Sequence, residues 1–105
     1  MANAILRIKG ASAHFDPLRA RVPTVILDHG DIVVRSALSE AASLNEHLVW
    51  LWGMLNHERR MLKRLQAGGA QFSCVASVGK EPIRLLPNGA EMLHLLQCEL
   101  IVERK

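Results

Sequence analysis

The chain has 105 residues, 13 Lys and Arg against 10 Asp and Glu for a formal charge of +3, and apolar side chains at half of its positions. That length buries roughly two thirds of the unfolded surface in one core without help from a metal or a disulfide, and the apolar content excludes intrinsic disorder. The charge is mildly basic and does not match the concentrated positive stripe of a nucleic-acid binder. The longest apolar stretch, 48–55, is interrupted by Gly53 and is far too short to span a membrane.

In chain order, residues 4–9 alternate, with Leu6 and Ile8 to one side and Arg7 and Lys9 to the other, which predicts a strand ended by Gly10. Asp16-Pro17 has the form of a helix start, Asp16 as cap and Pro17 in the first helical position, and the turn stops before Pro23. Two β-branched segments, 24–27 and 32–38, flank Asp28-His29-Gly30-Asp31 and predict a β-hairpin.

The strongest signal follows. Ser43 and Glu46 have capping-box spacing. Leu44, Leu48, Leu51, Leu55 and Leu62 then fall on one stripe at 100° per residue, and Gly68-Gly69 stops the pattern. One long helix over 43–67 is predicted, about 37 Å from end to end at 1.5 Å per residue. Its apolar arc is broad, because Trp50, Met54, Met61 and Leu65 widen it on one side and Trp52 on the other. A single sheet face does not cover such an arc, so either a second element or a partner chain is expected there.

Residues 71–78 alternate again, with Phe72, Cys74, Ala76 and Val78 on one face. Ile83–Leu85 reads as a short extended piece, Pro87-Asn88-Gly89 leads into a short helix over about 88–97, and 98–103 reads as a final strand with Cys98, Leu100 and Val102 inward. The expected fold is α+β in a single domain, 1–105: a mixed or antiparallel sheet of about five strands packed on the long helix, plus the short C-terminal helix, as a two-layer sandwich.

The order of these elements carries a resemblance. Leu6-Arg7-Ile8 precede Asp16-Pro17, then come Pro23-Thr24 and Gly30-Asp31, the run Leu44-x-x-His47-Leu48-x-Trp50-Leu51, and Leu85-x-Pro87 before the last helix. In this order they resemble a bacterial family catalogued as domain of unknown function 4279, over nearly the whole chain. The chain departs from that family's pattern at Val33-Val34-Arg35, where an aromatic is usual, and between Leu18 and Pro23, which is shortened. The resemblance implies a fold and a bacterial origin, and no activity.

Motifs for chemistry are few. His14, His29, His47, His57 and His94 show no HxH or HExxH spacing, and no metal or cofactor site is expected of them. There is no GxSxG elbow for serine catalysis, and Gly68-Gly69 follows a helix instead of opening one, so it is no phosphate loop. Cys74 and Cys98 fall at inward strand positions and read as reduced, buried thiols. Asp28, His29 and Asp31 gather two carboxylates and an imidazole at a turn, which could serve acid–base work or bind a cation, although a turn also favours those residues for its own geometry. Arg60, Lys63 and Arg64 share the polar face of the long helix and could contact phosphate, without interleaved aromatics for base stacking. Glu58 falls by phase inside the apolar arc and there needs a cationic partner or a place at its edge.

The reading these features favour is a cytoplasmic, non-enzymatic protein-interaction module, immunity-like or regulatory, with a protein or a second copy of the chain as partner and no membrane. Its candidate surface is Trp50, Met54, Glu58, Met61 and Leu65. A small enzyme or ligand-binding domain using the Asp28–Asp31 loop is the first alternative. A weak nucleic-acid binder using Arg60, Lys63 and Arg64 is the second.

Overall fold

A computed structural model describes residues 1–104. Five strands form one mixed sheet: β1 (Ala2–Lys9), β2 (Val25–Asp28), β3 (Asp31–Arg35), β4 (Gln71–Val78) and β5 (Glu99–Arg104), in the order β2-β3-β1-β4-β5. The first four pair antiparallel, and β5 runs parallel to β4. A parallel pair cannot close through a hairpin. The chain crosses between β4 and β5 through the helix α4 (Pro87–Leu95).

Side-chain alternation decides which face is buried. Ala2, Ala4, Leu6 and Ile8 of β1 lie beside Ile32 and Val34 of β3 and Phe72, Cys74, Ala76 and Val78 of β4, and all are buried in one core. The helical segments add to the same core: Leu18 from α1 (Phe15–Arg19), Leu44, Leu48, Leu51, Trp52 and Leu55 from α2 (Leu44–Leu55), Leu62 and Leu65 from α3 (Arg59–Ala67), and Met92 from α4. Val33 points to the opposite face and is buried there, outside that core cluster.

The strand assignments 4–9 and 71–78 and the hairpin match the sheet closely. The hairpin loop is the two residues His29 and Gly30, both at positive φ (51° and 82°), which suits the right-handed twist of the flanking strands. At the first short helix the expectation shifts by one or two residues. The helix begins at Phe15, with His14 in the cap position and no side-chain capping bond, so Asp16 lies inside the first turn.

The capping box at Ser43 forms as read. Ser43 Oγ accepts from the Glu46 backbone N–H at 3.1 Å, and Glu46 Oε1 accepts from the Ser43 N–H at 3.1 Å. The helix it opens does not run unbroken over 43–67. It ends at Leu55, passes through a 3₁₀ turn at Asn56–Glu58, and restarts at Arg59. Glu58 sits at φ −108°, ψ 15°, outside the helical well, and the Arg59 guanidinium donates to Asn56 Oδ1 across the turn at 2.8 Å. The leucine stripe survives the break because Leu55, Leu62 and Leu65 are still directed into the core.

The broad apolar arc is met by a second element. α4 packs along α2, and Asn45 of α2 ties the two together: its Oδ1 accepts from the Leu86 backbone N–H at 2.9 Å and its Nδ2 donates to Asn88 Oδ1 at 3.1 Å. Trp50, Met54 and Met61 are half-buried against the same core, and Leu65 is buried. No helix is long and apolar enough to cross a membrane among the described residues.

Candidate functional site

Three groups of polar residues stand out. The first is the hairpin end. Asp28 and Asp31 face each other across the last pair of the β2–β3 ladder and lie on the outer side of the sheet with Arg7 from β1. Arg7 donates to both: Nη2 to Asp28 Oδ2 and Nη1 to Asp31 Oδ2, each at 2.8 Å. The Arg7 guanidinium, and to a smaller degree His29, holds the Asp28 carboxyl below its usual range. His29 Nδ1 lies 2.8 Å from Asp28 Oδ1, yet its side chain is 92 % exposed at the loop tip. One guanidinium thus bonds both carboxylates and offsets one of their two charges, and the imidazole stands in solvent. This geometry fixes the hairpin against β1 and converges on no concave site.

The second group is buried. His47, on α2, is completely inaccessible to solvent. Its Nδ1 and the Ser36 hydroxyl share a hydrogen bond at 2.6 Å, and Ser36 Oγ also accepts from the Leu38 N–H at 3.3 Å. His47 Nε2 has no hydrogen-bond partner. Burial depresses the histidine's pKa, so the ring is neutral at pH 7. The role of His47 was missed in the sequence, although its spacing from Leu44 and Leu51 places it on the core stripe. His14, His29, His57 and His94 are exposed.

The third group carries most of the unbalanced charge. Arg59, Arg60, Lys63 and Arg64 occupy successive turns of α3, where i, i+3 and i+4 spacing puts Arg60, Lys63 and Arg64 side by side. All four are exposed and line one open depression of about 660 Å³. Arg60, Lys63 and Arg64 make no ion pair among the described residues. At the break ahead of α3 the surface folds inward into a cleft of about 520 Å³, lined by Pro17, Arg21, Glu58, Arg60, Met61 and Arg64 among others. Arg59, Arg60 and Arg64 are therefore shared between the open face and the cleft.

Glu58 lies at the break. Its carboxylate lines the cleft, 10 % exposed, with Oε1 3.1 Å from Nε of Arg21. A carboxylate this far withdrawn from water needs a cation. The non-helical backbone at Glu58 puts the carboxylate within reach of the chain that follows α1. The candidate surface of Trp50, Met54, Glu58, Met61 and Leu65 is thus divided: Glu58 belongs to a charged cleft that Met61 also lines, Leu65 to the core, and Trp50 and Met54 to the core's rim.

Cys74 and Cys98 are free and buried. Burial, the largest cause in each case, pushes both thiols up to about 12. At that value neither is a nucleophile at neutral pH. No family model, curated protein or solved structure matches the chain.

Proposed function

We propose that the chain is a non-enzymatic interaction module that engages an acidic protein partner through the basic side of α3. One observation carries this reading: Arg59, Arg60, Lys63 and Arg64 crowd one exposed helix face, and the one carboxylate among the described residues lining that face and the adjoining cleft, Glu58, is already held by Arg21. A patch of uncompensated like charge repels itself, and an acidic partner relieves that repulsion while speeding encounter. The two other polar groups supply no rival site. Both carboxylates of the Asp28–Asp31 pair are engaged by Arg7, and His47 is sealed from solvent.

A bacterial, cytoplasmic setting fits the family resemblance and the two free thiols, which suit a reducing compartment. Because α4 already lies along α2, the reading favours a different chain as partner over a second copy on the apolar arc.

Titration with poly-L-glutamate at low and moderate salt tests the reading. Binding is expected to weaken steeply as salt rises, and the triple variant Arg60→Glu, Lys63→Glu, Arg64→Glu should lose it. If the wild-type chain ignores polyglutamate at low salt, the reading fails. A 20-base-pair duplex bound far more tightly than polyglutamate would move the assignment to nucleic acid.

A further inference from the structure

Resting on that reading, we infer that the cleft ahead of α3 is built for one phosphoryl group on the protein partner, a phosphoserine or phosphothreonine side chain, gripped by Arg21, Arg60 and Arg64.

Charge is the first argument. The cleft is lined by four guanidinium groups, from Arg21, Arg59, Arg60 and Arg64, against the single carboxylate of Glu58; Arg59 is already bonded to Asn56. A carboxylate from a partner cancels one of these charges. A phosphomonoester carries about −1.5 to −2 at pH 7 and offers three strong acceptor oxygens.

Donor geometry is the second. The cations that line this cleft are arginines, whereas Lys63 lies only on the open face. Arginine presents a planar fork that matches phosphate oxygens two at a time, which an ammonium does not. Arg21 is also held in place. Glu58 engages its Nε at 3.1 Å, leaving the terminal nitrogens outside that contact, on a side chain that is 72 % exposed. Anchoring a long, mobile side chain before the ligand arrives lowers the entropy lost on binding. Glu58 therefore acts as a positioning residue for Arg21.

Shape is the third. A cleft of about 520 Å³ walled by Pro17 and Met61 suits a phosphorylated side chain with a little flanking backbone. No Phe, Tyr or Trp lines it, and His57 is the one aromatic ring along it, so a series of nucleobases finds little stacking surface there.

The experiment compares three forms of one acidic Glu-, Gly- and Ser-containing decapeptide, with its central position Ser, Glu or phosphoserine, by calorimetry at 50 mM salt. The phosphoserine form is expected to bind about tenfold more tightly than the Glu form, a factor worth 1.4 kcal/mol. Arg21→Ala and Arg21→Lys should collapse that ratio toward one, because the second keeps the charge and loses the fork, while both retain polyglutamate binding on α3 within about twofold. Glu58→Gln should lower the ratio several-fold with α3 binding intact. If Arg21→Ala melts early, Arg60→Lys with Arg64→Lys carries the same comparison. Equal affinity for the phosphoserine and Glu forms would overturn the inference and leave the interaction reading standing. Loss of polyglutamate binding by the wild type would remove that reading itself. A duplex that displaces the phosphopeptide more effectively than the peptide displaces the duplex would overturn the choice of a phosphoprotein.

Discussion

Gly89 of α4 lies so close to Asn45 of α2 that a β-carbon on Gly89 would run into the Asn45 carboxamide. The approach is functional for the fold, because that carboxamide accepts from the Leu86 N–H and donates to Asn88, fastening the first turn of α4 to α2. Gly89→Ala must push the two helices apart or turn Asn45 out of its bonds. Overpacking of this kind costs about 1–3 kcal/mol, and Asn45→Ala should cost about 0.5–1.5 kcal/mol by removing the acceptor of the Leu86 N–H. Urea denaturation of the two single variants and the double checks this. The double variant should lose less than the two singles added together, since the added methyl then enters vacated space. Strict additivity would contradict the contact.

His47 gives the fold a pH dependence of predictable sign. Its folded pKa is depressed, chiefly by burial, below the ordinary 6.5, against a weaker raising effect of the Glu46 carboxylate. The unfolded chain therefore binds a proton at a higher pH than the folded one. The stability His47 supplies by staying neutral is whole above about pH 6.5 and is lost as pH falls below it, by up to about 1.4 kcal/mol per pH unit. Asp28 and Glu46, whose carboxyls are held low, lose their contributions only further down, near the ordinary carboxylate range. Equilibrium unfolding at pH 7.0, 6.0 and 5.0 should show a decline that His47→Gln flattens. A wild-type profile with no slope over that interval would rule out a buried neutral imidazole.

What the sequence made legible was whatever depends on local period. Leu6 with Ile8, and Phe72 through Val78, announce strands because alternate side chains share a face. Ser43 with Glu46 announces a helix start because both bonds of the box are made within four residues. The break at 56–58 is hidden by the same logic. Leu55 and Leu62 keep the stripe in phase through it, while the contact made at the break, Glu58 with Arg21, joins residues 37 positions apart. The site divides in the same manner. Arg60, Lys63 and Arg64 could be placed on one face by counting, but the cleft needs Arg21 and Pro17, which only tertiary structure brings there. Alternation alone makes Arg7 simply an outward strand residue. Its grip on Asp28 and Asp31 depends on strand register, which alternation alone does not fix.

The hairpin loop offers a test of whether Asp28-His29-Gly30-Asp31 is shaped for turning. His29 and Gly30 both sit at positive φ, where a β-carbon clashes with the backbone. Nothing lies within 4 Å of a β-carbon placed on Gly30, so a substitution there feels backbone strain without a steric collision. Gly30→Ala should cost about 1 kcal/mol for that reason. His29→Asn should be neutral or slightly stabilising, because asparagine tolerates the left-handed region better. Thermal melts of both variants decide the matter. A marked loss of stability in His29→Asn would mean that the imidazole does more than fill the turn.

The two cysteines report on the core directly. Cys74 is central in β4, opposite Leu6 and Leu100, and Cys98 sits just ahead of β5. Both thiols are pushed up to about 12, so at pH 8 the thiolate fraction of each is about 10⁻⁴. Access is closed as well, because the whole of Cys74 and nearly all of Cys98 are shielded from solvent. In the native protein, iodoacetamide should label neither residue on the timescale on which it labels a free thiol. In urea both should react together as the sheet opens. Labelling that rises with denaturant along the same curve as the loss of secondary structure is expected for a single cooperative core. Rapid modification of Cys98 in the absence of denaturant would mean that β5 detaches from β4 on its own, and that the edge of the sheet is held less firmly than its ladder of paired residues implies.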